Sequence, residues 1–372
     1  MKVRHYVTAA LALALVSCGN SGKTAQFVSH DYPVGKTVAA QGVRGKQYPK
    51  VLEDGRVEFR VRAPRAASVQ VDLGKVYDLE NNGNGMWTGI TDPQSVGFHY
   101  YSLIVDGVKV ADPAAAVVYG CSQFSSCIEI PYPDGDNRFY MQDVPHGKIA
   151  QVRFYSTTSK EWRRLFVYTP AGYETDGASY PVLYIMHGGG EDETGWAVQG
   201  RTDIILDNLI AQGKAKKMLI AMPDGNTQNF DDELINDIIP TVEREYRVQA
   251  DAAHRALAGL SMGGIQTLNT SIAHPDLFNY VGVFSSGWHS NNPAAADPYY
   301  KMLQERPDYY NQQFKVFFLT QGGPADIAYN NCNIMKARFD EMGIKYTYFE
   351  TPGGHTWPVW RESLYEFAPQ LF

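Results

Sequence analysis

Gly259-Leu260-Ser261-Met262-Gly263 follows the strand-like run Arg255-Ala256-Leu257-Ala258 and precedes the helix-like run Gly264–Ala273. The bare pattern, a serine between two glycines, is short and weak, but its setting between a strand and a helix is specific. A nucleophile on such a turn is held in a strained backbone conformation, and small outer residues let the helix pass close to the strand. At a helix N-terminus the serine also meets free N–H groups and the positive end of the dipole, which stabilise an anion formed during attack.

Outward from this turn, Pro181–Met186, Met218–Met222, Tyr280–Phe284 and Val316–Leu319 are near-continuous apolar runs. Such runs are the mark of strands buried on both faces of a parallel sheet. Helical spacing separates them, with Ile204, Ile205, Leu209 and Ile210 in one segment and Leu234, Ile238, Val242 and Tyr246 in another. The expected fold of residues 151–372 is therefore α/β, a mostly parallel sheet flanked by helices of the α/β-hydrolase type. Upstream the period falls to two. Val57, Phe59 and Val61, then Val69, Val71 and Leu73, alternate between turn-rich stretches such as Asn81-Asn82-Gly83-Asn84-Gly85. Residues 34–135 read as an all-β, immunoglobulin-like sandwich, with 136–150 as a linker.

A serine hydroxyl needs a base, and the base needs an orienting acid. In this fold class the chain order is serine, acid, histidine, which leaves His274, His289 and His355 as bases. His355, in Gly353-Gly354-His355-Thr356-Trp357, follows the strand-like Tyr346–Glu350 and is the expected base. His274 falls near the end of the elbow helix, where it reads as a cap, and only Asp276 would separate His289 from Ser261 as an acid. Asp326, after Val316–Thr320 and a Gly-rich loop, is the expected acid, with Glu350 as the alternative. Asp326 also reads as an N-cap for the segment starting near Ala328. The oxyanion donors are expected at the N–H of Met262 and in Met186-His187-Gly188-Gly189-Gly190, on Gly188 and Gly189, with His187 as a buttress.

The whole chain has 372 residues, 33 basic and 40 acidic, and a net charge of −7. That balance, without a dense Lys/Arg run, argues against nucleic acid as a partner. Lys2, Arg4 and His5 precede an apolar run from Tyr6 to Val16 that is too short to span a bilayer and has the layout of a secretory signal. It ends in Leu15-Val16-Ser17-Cys18-Gly19, similar to a bacterial lipobox, so residues 1–17 are expected to be removed and Cys18 lipidated. Residues 18–33 would then tether an exported, membrane-anchored lipoprotein, facing the periplasm or the cell surface. Cys121 and Cys127 are close enough in sequence to suggest a small disulfide loop, with Cys332 left single. No spacing typical of a metal site occurs. Aromatic residues make up 13% of the chain. Among them Trp196, Trp288, Trp357 and Trp360 are the candidates for stacking on a phenolic ring or sugar.

Residues from about 143 onward, with Pro145-His146-Gly147, His187-Gly188-Gly189-Gly190, Gly259–Gly264 and Thr351-Pro352-Gly353-Gly354-His355-Thr356-Trp357, resemble carbohydrate esterase family 1, which is related to esterase D. Val57-Glu58-Phe59-Arg60-Val61-Arg62-Ala63-Pro64, Gly97-Phe98-His99-Tyr100-Tyr101, Val105-Asp106-Gly107 and Asp112-Pro113 resemble the early-set sandwich of carbohydrate-binding module family 48. The resemblance implies a Ser261, Asp326, His355 triad, no cofactor, and release of a feruloyl group from feruloylated arabinoxylan. Removal of acetyl from xylan, opening of a siderophore trilactone, and glycan binding by an inactive lipoprotein are the alternatives. The lipoprotein signal and the acidic charge speak against the siderophore, an anionic ligand whose hydrolysis is expected inside the cell.

Overall fold

The computed structural model describes residues 47–289 and 292–372. The expected signal segment, Cys18 and the tether lie outside the described residues. Ten strands come first: β1 (Lys50–Val51), β2 (Val57–Arg62), β3 (Val69–Asp72), β4 (Val76–Asp78), β5 (Glu80–Asn81), β6 (Met86–Ile90), β7 (Gly97–Val105), β8 (Val108–Val110), β9 (Val117–Gly120) and β10 (Gln123–Ile130). They form two antiparallel sheets, one ordered β1-β2-β6-β5 and the other β4-β3-β7-β10-β9, with β8 paired to β7. The period-two alternation explains the sandwich. Val57 and Phe59 of β2, Val69 and Val71 of β3, and Tyr101 and Leu103 of β7 are buried in one core, while Arg60 is exposed. Trp87 belongs to that core, with its indole N–H donating to the Ala63 carbonyl at 2.9 Å.

A third sheet has eight strands: β11 (Lys148–Ser156), β12 (Glu161–Thr169), β13 (Val182–Met186), β14 (Leu219–Pro223), β15 (Arg255–Leu260), β16 (Tyr280–Phe284), β17 (Val316–Gln321) and β18 (Thr347–Glu350). Their order is β11-β12-β14-β13-β15-β16-β17-β18. The contacts β11·β12 and β12·β14 are antiparallel and the rest are parallel. Strands β13 to β16 are buried along their whole length, as their unbroken apolar runs require. The α/β expectation holds. The loops at the carboxyl ends of β13, β15, β17 and β18 carry Gly188, Ser261, Asp326 and His355, where open α/β sheets place their sites.

The two parts share a core. Phe98 and Val118 of the sandwich and Phe139 and Tyr140 of the 136–150 stretch pack in one cluster with Trp196 and Trp357. The described residues fall in one compact unit, and the stretch expected as a linker buries its rings in the junction. At the same junction Glu129 of β10 is 2% exposed and meets Arg361, at 2.7 and 3.3 Å, and Arg201, at 3.3 Å. Both guanidiniums are fully enclosed, so the carboxylate is their shared counter-charge. Glu129→Gln therefore lowers unfolding stability by roughly 3–5 kcal/mol, because two buried cations lose it. Denaturant unfolding of both proteins checks this, and a loss near zero would show that water screens the cluster.

The disulfide expectation fails: Cys121 and Cys127 are both free thiols. Cys121 sits in the turn between β9 and β10, whereas Cys127 lies well along β10. Six extended positions separate them by roughly 15–20 Å, beyond the reach of a disulfide. Cys127 is buried, with its Sγ 3.6 Å from the Ala116 carbonyl oxygen, and Cys332 is also buried and free.

Candidate active site

Ser261 has φ 50° and ψ −114°, a conformation that L-residues rarely hold. It is fixed by its neighbours. Its N–H donates to the Phe284 carbonyl at 2.9 Å, and its own carbonyl accepts from Ser286 Oγ at 2.6 Å. The glycines answer a steric demand: a Cβ on Gly259 would lie 2.3 Å from the Gly263 oxygen, and one on Gly263 would lie 2.5 Å from the His187 oxygen. The turn thus brings the helix Met262–Ala273 hard against β13 and β15.

The expected base and acid meet. His355 Nδ1 lies 2.8 Å from Asp326 Oδ1, with the Asp326 side chain fully buried and the imidazole 17% exposed. Burial alone would raise the Asp326 carboxyl, but the hydrogen bond from His355 leads the opposing effects that bring it down to about 2. An ionised acid only accepts, so the proton sits on His355 Nδ1 and leaves Nε2 free as the basic nitrogen. Asp326 also accepts from Gly322 N–H at 3.1 Å and Ala328 N–H at 2.9 Å, so it anchors its own loop as well. Glu350 instead accepts from Tyr348 OH at 2.5 Å on the surface. His274 ends the elbow helix, as expected, and His289 is exposed beside Asn331 at 3.4 Å.

His187 fixes the loop on which the oxyanion donors are expected. It is 1% exposed, its Nε2 accepts from Gly225 N–H at 2.9 Å, and its Nδ1 therefore donates to the Gly188 carbonyl at 2.8 Å. In a planar trans peptide the N–H points opposite the carbonyl. Pinning the Gly188 oxygen thus turns the Gly189 N–H the other way. Gly188 backs directly onto Ser261, since a Cβ there would come within 3.3 Å of the Ser261 Cβ. Met262, first in its helix, has an N–H without an intrahelical acceptor.

Gly188, Gly189, Ser261 and His355 line one cavity of about 420 Å³, and Phe98, Tyr100 and Gln123 of the sandwich line it too. Of the four expected tryptophans the structure brings two to this cavity. Trp357 and Trp360 line it, with Trp360 edge-on to His355 at 5.1 Å between ring centres. Trp196 and Trp288 do not. Trp196 is 1% exposed and donates to the Met186 carbonyl at 2.9 Å, behind Trp357. Trp288 stacks on Tyr299 at 5.7 Å and donates to Asn269, inside a separate core. Both are packing residues, because their polar ends are satisfied internally and their rings face other rings.

Sequence reasoning missed Glu191, which borders the cavity and is 5% exposed. Its Oε1 accepts from Tyr100 OH at 2.9 Å and Trp357 Nε1 at 3.1 Å, and burial pushes its carboxyl up to about 7. The available signal was an acidic residue directly after a glycine run. Among the described residues, no group of three or more His, Cys, Asp or Glu side chains is gathered to hold a metal.

A family model described as "Putative esterase" matches residues 156–371. An endo-1,4-beta-xylanase/feruloyl esterase of Xylanibacter ruminicola is 40% identical over 265 residues, covering 65% of this chain and 36% of that protein. The endo-1,4-beta-xylanase Y of Acetivibrio thermocellus is 28% identical over 300 residues, covering 72% of this chain and 27% of that protein. The chain thus spans well under half the length of these curated relatives. Among solved structures, a feruloyl esterase module from Clostridium thermocellum complexed with sinapinate has a TM-score of 0.56 at 26% identity, over 65% of this chain and 93% of that one. The enterobactin esterase of Shigella flexneri has a TM-score of 0.63 at 16% identity, over 84% of this chain and 92% of that one. At that identity the likeness concerns the fold, and its span is too long for the eight-stranded sheet region alone.

Proposed function

The chain belongs to the esterase family whose model matches residues 156–371, and we propose that it is a serine ester hydrolase that releases ferulic acid from feruloylated arabinoxylan or xylo-oligosaccharides. The carrying observation is a Ser261 elbow and a His355–Asp326 pair opening on one cavity whose walls include Phe98, Trp357 and Trp360. A planar phenolic acyl group suits such walls. In the first step His355 Nε2 takes the Ser261 proton as Oγ bonds to the ester carbon. The oxyanion is held by N–H groups of Met262 and of Gly188 or Gly189. His355 then gives that proton to the sugar oxygen as its bond to the acyl carbon breaks, and water, deprotonated by the same nitrogen, attacks the acyl carbon and releases the acid as the proton returns to Ser261 Oγ. The 40% identity to a xylanase/feruloyl esterase supports the choice of acyl group.

Incubation with destarched wheat bran and with acetylated xylan, followed by identification of the released acid, tests the reading. Ferulate is the expected product; acetate alone would move the assignment to acetyl xylan, and neither acid would overturn it. A siderophore lactone rests on fold likeness only, and the glycan-binding alternative would follow if a serine-directed probe failed to label the protein.

Export and lipidation at Cys18 are part of the proposal and are supported by the segment Lys2–Gly19. Metabolic labelling with a palmitate analogue should tag the wild type, and a Cys18→Ser variant should lose the tag. Equal labelling of both would remove the anchor from this account.

A further inference from the structure

Resting on that reading of Ser261, we propose that the sandwich is a working part of the esterase centre, in which Tyr100 and Glu191 are positioning residues that hold the oxyanion loop against the loop of the base. Glu191 lies two positions after Gly189, and Trp357 two positions after His355. One carboxylate oxygen therefore joins the two catalytic loops, because Glu191 Oε1 accepts from Trp357 Nε1 at 3.1 Å. The sandwich completes the node. Tyr100 of β7 donates its hydroxyl to the same Oε1 at 2.9 Å, and its oxygen accepts from Trp357 Nε1 at 3.0 Å and Gln199 Nε2 at 3.0 Å.

A second tie comes from the turn between β9 and β10. The Ser122 N–H donates to the Gly190 carbonyl at 2.7 Å, so the tip of this hairpin grips the loop that carries the oxyanion donors. Cys121 and Ser122 both hold positive φ, 53° and 63°, in that turn. For two non-glycine residues this is a strained arrangement, kept in place by the surrounding contacts. From the hydrolase side Asn226 Nδ2 donates to the Glu191 carbonyl at 2.7 Å. The loop is thereby held from both parts of the molecule.

The chemistry explains why an acid stands here. A buried phenol O–H and a buried indole N–H both need an acceptor, and an apolar residue at 191 would leave the pair without their shared one. The other oxygen, Glu191 Oε2, is buried with no hydrogen-bond partner among the described residues, close to where a Cβ on Gly195 would fall. A carboxyl retained for stability alone would be expected to have both oxygens satisfied. Its place beside the cavity and between two catalytic loops gives it another reason to be kept.

The test uses Tyr100→Phe, Glu191→Leu and Glu191→Gln in the full chain, assayed on methyl ferulate and on p-nitrophenyl acetate. The acetyl group is too small to use the aromatic walls, so it reports the catalytic loops alone. Tyr100→Phe and Glu191→Leu should each lower kcat about 10–100-fold on both esters, with KM changed less than about threefold, because small displacements of catalytic groups carry costs of this order. Glu191→Gln keeps an acceptor oxygen and should recover most of the loss. Should Glu191→Leu fail to fold by circular dichroism, Tyr100→Phe, which removes a single oxygen, decides. A rise in KM confined to methyl ferulate would make the sandwich a binding wall only and overturn the proposal, as would an unchanged kcat on both esters. A wild type inactive on both esters would instead strike at the esterase reading itself.

Discussion

Ser261→Ala lowers kcat for ferulate release by between about 10³ and 10⁶-fold while leaving the thermal unfolding midpoint nearly unchanged. The activity loss follows from the single oxygen removed, since the cavity, the oxyanion donors and the His355–Asp326 pair all remain. Residual rate over water reflects those surviving parts. Stability is spared because the Ser261 backbone strain, at φ 50°, is imposed by the turn and is the same for alanine. Steady-state kinetics and calorimetry on the two proteins check both halves. A variant with a rate within tenfold of the wild type would remove Ser261 from the chemistry.

Asp326→Asn lowers kcat by about 10⁴-fold, the scale found when a triad acid becomes an amide. The carboxylate serves three donors, with Oδ1 accepting from His355 and the Ala328 N–H and Oδ2 from the Gly322 N–H. An amide has one acceptor oxygen, so its NH₂ must face either the Gly322 N–H or the imidazole. The first outcome crowds two donors together, and the second stabilises the wrong tautomer of His355. The pH dependence separates the two partners. The Asp326 pKa is depressed in the folded state, so its stabilisation is present above its unfolded value near 4 and is lost as pH falls toward about 2. Asp326 therefore stays ionised through the neutral range, so a rate that falls there reports a group other than Asp326, whereas a midpoint near 2 would assign the loss to Asp326.

The positions of the three proposed triad residues were legible because each carries a local signal and the fold class fixes the chain order. Ser261 sits between a strand and a helix, Asp326 follows the apolar strand β17, and His355 follows the short, half-exposed strand β18, each of the last two through a Gly-rich loop. Burial on both faces announced the parallel strands, and alternation announced the sandwich. The tryptophans were harder. Proximity in sequence to a catalytic loop does not say which way a ring turns, and Trp196 and Trp288 turn inward to satisfy their N–H groups. Cysteine spacing misled for a related reason, because a strand carries Cys127 away from the turn that holds Cys121. Least legible was the joint between the two parts. Glu191 meets Tyr100 and Trp357 across 91 and 166 positions, and Phe139 and Tyr140 fill a core that a linker would not suggest. Such contacts arise only when separate elements are packed together.

Labelling with a fluorophosphonate, followed by peptide mass spectrometry and a ferulate-release assay on the same sample, tests whether Ser261 is the nucleophile of ferulate release. One label per chain is expected, on the peptide containing Ser261, with ferulate release lost in proportion to labelling and no label on Ser261→Ala. Full labelling at Ser261 with ferulate release intact, or inhibition that tracks a label on another residue, would contradict that role.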